Sequence, residues 1–167
     1  MTRGVRSATW LFASAGVVYL LDRLTKLWAE QALEGRPPID LLPGVRLTFI
    51  TNPGGAFSIG AGSPLLFVAA TVIVSGVIVA TAHRHTHALT AVAFGIVLGG
   101  AIGNLTDRAL RGPGFRGHVV DFVDVGSWPV FNVADSAIVV GAILLAWTGL
   151  RSGHVTPTTA PPGAGDG

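Results

Sequence analysis

The sequence predicts a mainly α-helical, polytopic membrane protein. It would have four transmembrane helices, a small extracytoplasmic β-structured loop between helices 1 and 2, and a polar loop between helices 3 and 4. Two observations carry this. Charged residues are 12% of the 167 and hydrophobic residues 50%, whereas a soluble domain carries about 25% charged residues. Uncharged runs of membrane-spanning length also alternate with polar connections. The mean hydropathy of +0.60 agrees. Eleven Lys and Arg against nine Asp and Glu leave a net charge of +2 without any basic run, so nucleic acid is not an expected partner. The absence of cysteine excludes disulfides, thiolate nucleophiles and cysteine-bound metals.

The first span is expected over about residues 8–31. Arg3 and Arg6 lead into an uncharged run from Ser7 to Leu21, as in a secretory signal peptide. No small-residue cleavage site follows; Asp22, Arg23 and Lys26 do, so the helix is read as retained. Glu34 to Pro38 breaks it. Residues 39–62 then change in kind. Val45, Leu47 and Phe49 alternate with other residues as in a strand, Asn52-Pro53-Gly54-Gly55 signals a turn, and Ala56 to Ile59 reads as a returning strand.

The second and third spans are nineteen-residue uncharged runs, 64–82 and 88–106, joined by a short His-rich turn. Gly95, Gly99 and Gly103, four residues apart, let a neighbouring helix approach the third span closely. Arg108 to Trp128 reads as a second polar loop. The fourth span follows Pro129, over about 132–150. Residues 1–151 would thus form a single membrane domain, and 152–167, rich in Pro, Gly, Thr and Ala, a disordered tail. Four spans put both termini on one side. Arg3 and Arg6 favour a cytoplasmic N-terminus, which turns the two large loops outward.

Asp22 and Lys26 are one helical turn apart and read as a neutralised ion pair, able to support a site from behind. The stretch from Asn52 to Ser58 is either a hairpin turn or a loop whose small residues admit a substrate backbone, with Phe57 as an apolar contact. Asn104, Asp107 and Arg108 form a polar face at the end of the third span. Asp107 reads as a cap pairing with Arg108 or Lys26. Asn104 lies deeper, where an amide needs partners. Arg108 suits a substrate carbonyl or lipid phosphate, and equally a structural ion pair.

Asp121 stands between Val120 and Phe122, where desolvation favours the neutral acid. Asp124 reads as a solvated loop acid. Asn132 and Asp135 fit a helix cap and a first-turn acid, and equally a functional site. Two acids in apolar surroundings near one membrane face, Asp121 and Asp135, cannot both ionise cheaply, so they would share a proton. One would be base toward water and the other acid toward a carbonyl oxygen, as aspartyl proteolysis requires. His83, His85 and His87 lie in the opposite turn without an acid and read as solvated residues rather than a metal site.

Together these motifs resemble the bacterial lipoprotein signal peptidases, or signal peptidase II. Five blocks match in order: Asp22-x-x-Thr25-Lys26; Asn52-x-Gly54-x-Ala56-Phe57-Ser58; Gly99-Gly100-Ala101-x-Gly103-Asn104-x-x-Asp107-Arg108; Val119-Val120-Asp121-Phe122; and Phe131-Asn132-x-Ala134-Asp135-Ser136. The resemblance implies an intramembrane aspartyl endopeptidase of the bacterial plasma membrane. It would cut prolipoproteins just before a diacylglyceryl-modified cysteine. Asp121 and Asp135 would be the catalytic pair. Asn52, Gly54, Phe57, Asn104, Arg108 and Asn132 would line the substrate site, with Asp22, Lys26 and Asp107 behind it. The resemblance also implies a monomer among membrane lipids, no metal or other cofactor, and inhibition by globomycin-type cyclic peptides. Gly55 replaces the usual Ala, and the loop from Ala109 to His118 is longer than usual and would cover the site. Intramembrane carboxylates would also suit a small transporter or proton-conducting protein. A relay, however, needs acids continuing across the bilayer, and these two lie near one face.

Overall fold

The computed structural model describes residues 3–54, 64–84 and 87–152. In chain order these form α1 (Arg3–Leu33), β1 (Ile39–Leu42), β2 (Val45–Asn52), α2 (Pro64–Thr81), α3 (Ala88–Leu110), β3 (Val119–Asp124) and α4 (Val133–Ser152). Single 3-10 turns follow α2, at Ala82–Arg84, and α3, at Pro113–Phe115. The expected returning strand at Ala56–Ile59, Gly55 and Phe57 lie outside the described residues, as does the tail beyond residue 152.

α3 is the centre of the bundle, packed between α1 and α4. The expected glycine stripe is the reason. A Cβ on Gly99 would sit 2.5 Å from the Ala15 carbonyl oxygen of α1, and one on Gly103 would overlap the Asp22 carboxylate. The neighbouring Gly100 serves the other side, where a Cβ would meet the Ala134 carbonyl of α4 at 2.5 Å. Small residues thus bring three backbones together where lipid offers no hydrophobic drive for helix association.

Among the described residues, Leu65–Arg84, Ala88–Leu110 and Val133–Arg151 are long and apolar enough to cross a membrane. α1 is longer, at 31 residues, but its second half carries Asp22, Arg23, Lys26 and Glu30. Its buried stripe explains this composition. Leu11, Ala15, Asp22, Lys26, Ala29 and Leu33 recur at helical spacing and are buried. The aspartate and lysine therefore point inward, while Leu20, Leu24 and Trp28 stay exposed. Exposed Ile73 and Val77 on α2 and Ile143 on α4 extend the same apolar exterior. The molecule is a membrane protein with an apolar exterior on its helices.

The sheet departs from expectation. It has three antiparallel strands in the order β1-β2-β3, and its third strand comes from the stretch read as a polar loop. Arg46 stands opposite Asp124, Ile50 opposite Asp121 and Asn52 opposite Val119, with a register shift between Leu47 and Ile50. β3 escaped the alternation test because it is buried on both faces: Val119 to Phe122 are all covered. Val120 and Phe122 pack with Ala29 and Leu33 of α1, while the alternate residues Val119 and Asp121 face a cavity. Trp28 meets the Phe122 ring edge-on, with centroids 6.3 Å apart.

Candidate active site

The site forms where β3, the end of α3 and the start of α4 meet. α4 begins with a reciprocal cap. The Asn132 Oδ1 accepts the Asp135 N–H at 2.9 Å, and Asp135 Oδ2 accepts the Asn132 N–H at 3.3 Å. The neighbouring Ala134 N–H donates to Asp22 Oδ1 of α1 at 3.0 Å. Two of the donors orphaned at this helix start are thereby satisfied by side chains. The cap and the site are the same residues, so the two readings of Asp135 do not compete.

Asp121 is nearly fully buried, and each of its oxygens accepts one amide. Asn132 Nδ2 donates to Oδ1 at 2.6 Å, and Asn52 Nδ2 to Oδ2 at 3.0 Å. Asn52 reaches it diagonally across the β2–β3 ladder, being opposite Val119 two residues away. Its own Oδ1 accepts the Gly54 N–H at 2.9 Å, which fixes the amide with its donor toward Asp121. Asp135 Oδ1 accepts from Asn104 Nδ2 at 2.8 Å. All four oxygens of the two acids are therefore acceptors of placed donors. Burial and the Asp135 carboxylate push Asp121 up to about 7, against the opposing pull of the Asn52 and Asn132 amides and the Lys26 cation.

Asp121 and Asp135 share a cavity of about 330 Å³. Its polar end is completed by Asn52, Gly54, Asn104 and Arg108; its apolar walls come from Phe67 and Thr71 of α2, Ile138 and Val139 of α4, and the stretch Trp128–Phe131. Sequence reasoning missed these walls, because residues exposed on a lipid-facing helix and residues lining a cavity have the same composition. The α3–α4 connection does reach the cavity, but through Trp128–Phe131. Residues 109–118, expected to cover the site, do not line it. They fold back on the end of α3, where the Gly117 N–H donates to the Arg108 carbonyl at 3.0 Å and Arg111 follows Asp107.

Arg108 is buried, and its guanidinium donates to the Gly54 carbonyl at 2.6 Å and the Gly117 carbonyl at 3.3 Å. It clamps the end of β2 to α3. Asp107 does not pair with Arg108, as one expected arrangement had it. It is the hub of a buried ionic cluster: Lys26 at 3.1 Å, Arg111 at 3.0 Å, Arg23, and the Val120 N–H at 3.2 Å. Arg111 also pairs with Glu30. Lys26 was the other expected partner of Asp107; Arg23, Arg111 and Glu30 were not legible, since their side chains converge from α1 and α3 only after packing. The expected Asp22–Lys26 pair is present at 2.9 Å and fully buried.

Asp124 corrects its expected place as a solvated acid. It is largely covered, takes Arg46 Nε at 2.7 Å and the Gly126 N–H at 2.8 Å, and is held below the usual carboxylate range by those two contacts. The cross-strand partner, Arg46 on β2, is what the loop reading lacked. Among the described residues, no three His, Cys, Asp or Glu converge as metal ligands would.

A helical membrane bundle with a carboxylate-bearing cavity at one end suits a membrane enzyme. The comparisons agree. Two solved structures described as a bacterial membrane enzyme, determined by the in meso method at 2.3 and 1.9 Å resolution, superpose with TM-scores of 0.78 and 0.73. They are 26% and 28% identical, over 90% and 84% of this chain and 93% and 92% of their own. A model of the family described as signal peptidase (SPase) II matches residues 14–151. The lipoprotein signal peptidase of Rhodococcus jostii (strain RHA1) is 51% identical over 138 residues, 81% of this chain and 69% of its own. That of Streptomyces griseus subsp. griseus is 48% identical over 149 residues, 86% and 74% of the two chains. The chain belongs to the signal peptidase II family and is a membrane peptidase.

Proposed function

We propose that this chain is an aspartyl endopeptidase that removes signal peptides from diacylglyceryl-modified prolipoproteins, cutting before the lipid-bearing cysteine. One observation carries the reading: Asp121 and Asp135 open into one cavity with every carboxylate oxygen held by a fixed donor. Such a pair shares a proton. The ionised member takes a proton from water as it attacks the scissile carbonyl, and the protonated member gives its proton to the carbonyl oxygen. The tetrahedral diol then collapses, and the leaving amine takes a proton from the pair. Asn52, Gly54, Asn104 and Arg108 form the polar floor, with Asn132 buried behind it on Asp121, and Phe57, outside the described residues, is proposed as an apolar substrate contact. The apolar walls suit the acyl chains and the hydrophobic signal peptide.

In this reading α1 is a fourth span, because Asp22, Arg23, Lys26 and Glu30 are paired within the bundle, and residues 1–151 are one domain. The chain works as a monomer in the bacterial plasma membrane. Its termini are cytoplasmic and its cavity lies toward the outer face, where globomycin-type cyclic peptides would compete with substrate.

The test uses purified protein in lipid with a prolipoprotein peptide, with and without diacylglycerol on its cysteine. Mass analysis should find products of a single cut before the modified cysteine, and slow or no cleavage of the unmodified peptide. Equal cleavage of both, or a cut elsewhere, would contradict the substrate assignment.

A further inference from the structure

Lys26 is fully buried and pairs with neither acid of the proposed dyad, so beyond its electrostatic pull on Asp121 the mechanism gives it no task. Its ammonium has three oxygen neighbours: it donates to Asn104 Oδ1 at 2.8 Å and forms ion pairs with Asp22 Oδ2 at 2.9 Å and Asp107 Oδ2 at 3.1 Å. Charge neutralisation does not explain all three. Asp107 already has the guanidinium groups of Arg23 and Arg111. Asp22 and Lys26 alone form a pair that apolar residues of similar size can often replace without loss of stability. The contact left unexplained is the one to Asn104.

An amide in this position has two faces that differ in chemistry but hardly in shape. Lys26 can only donate, so it selects the Asn104 oxygen. The nitrogen is then turned the other way, where it donates to Asp135 Oδ1 at 2.8 Å. Asn132 Nδ2 approaches the same oxygen from α4 at 3.3 Å, a longer contact that favours the same orientation. With the amide reversed, Asn104 would present an oxygen to the carboxylate, and Lys26 would face an NH₂ group.

We propose that Lys26 is a positioning residue for the reaction: through Asn104 it keeps a donor on Asp135 and so holds that carboxylate in place within the pair. This rests on the reading of Asp121 and Asp135 as the catalytic acids. It gives the Asp22–Lys26 pair a reason to sit inside the bundle. Asp22 holds the ammonium in place and also caps α4 through the Ala134 N–H, tying the start of the helix that carries Asp135 to the same lysine.

The charge-balanced variant Asp22→Asn/Lys26→Met tests this with the diacylglyceryl peptide as substrate. Its kcat per folded enzyme should fall on the order of 100-fold, the scale of a misplaced reacting group, with KM within about twofold. Adding the same pair of changes to Asn104→Ala should cost nothing further, because no amide remains to orient. Unchanged kcat, or losses that multiply in the combined variant, would overturn the proposal. A second variant, Asn104→Asp, keeps Lys26 and gives it a stronger acceptor, but presents no donor to Asp135. It decides the matter if the first does not fold. Loss of kcat on the order of 100-fold supports orientation by Lys26, whereas activity within about threefold of wild type would mean that the lysine merely anchors position 104. Failure of this proposal is separate from failure of the dyad, which Asp121→Asn and Asp135→Asn test in the otherwise unchanged chain.

Discussion

Asn132 shows how few atoms the site has to spare. Its oxygen caps α4 and its nitrogen serves Asp121, so one amide fixes both acids. The residue scale is also where pH acts. With Asp121 pushed up to about 7, the pair keeps one proton below that pH and loses it above. Cleavage should therefore decline as pH rises through about 7, giving kcat/KM an alkaline limb there. The Asn52 amide favours the ionised form, so Asn52→Ala should move that limb to higher pH while slowing the reaction. A limb that stays in place would show that Asn52 does not act on the titrating acid. The identities of Asp121, Asp135, Asn104 and Asn132 were legible in the sequence, because polar groups at the ends of apolar runs stand out. Which amide faces which oxygen was not, since that depends on partners up to 78 residues away.

At the scale of elements, α3 and its glycines set the geometry. Gly103→Ala would force the Asp22 carboxylate away from Lys26 and the start of α4, at a cost of about 1–3 kcal/mol. Gly76 on α2 has open space around it, so Gly76→Ala should be neutral or stabilising by up to about 1 kcal/mol. Thermal unfolding of the two variants in one detergent checks the contrast; equal midpoints would contradict the packing described. The close approach at the glycine stripe was readable from four-residue spacing. The sheet was only half readable. β2 alternates and announced itself, whereas β3 is covered on both sides and carries no alternation. Its pairing with β2 moved Asp121 from a supposed loop onto a strand and moved Asp124 out of solvent.

For the whole molecule, the proposed four-span topology makes a prediction about the two sides of the bilayer. Four spans require Glu34 and Arg84 on opposite sides. The chain has no cysteine, so single Glu34→Cys and Arg84→Cys variants can be labelled without background. A membrane-impermeant maleimide should reach residue 34 in intact spheroplasts and residue 84 only after permeabilisation. Labelling of both from one side would contradict a four-span bundle. Composition made the membrane class plain. The charges in the second half of α1 keep composition from marking it as membrane-crossing, whereas the buried stripe shows Asp22 and Lys26 turned inward.

The central claim is that Asp121 and Asp135 perform the chemistry together. Its most direct test is single-turnover cleavage of the diacylglyceryl prolipoprotein peptide by Asp121→Asn and Asp135→Asn, each shown by its unfolding midpoint to be folded. Each should lose about 10⁴-fold or more in rate while still binding the peptide, and the double variant should be hardly slower than either. Cleavage by either single variant within about tenfold of wild type would contradict it.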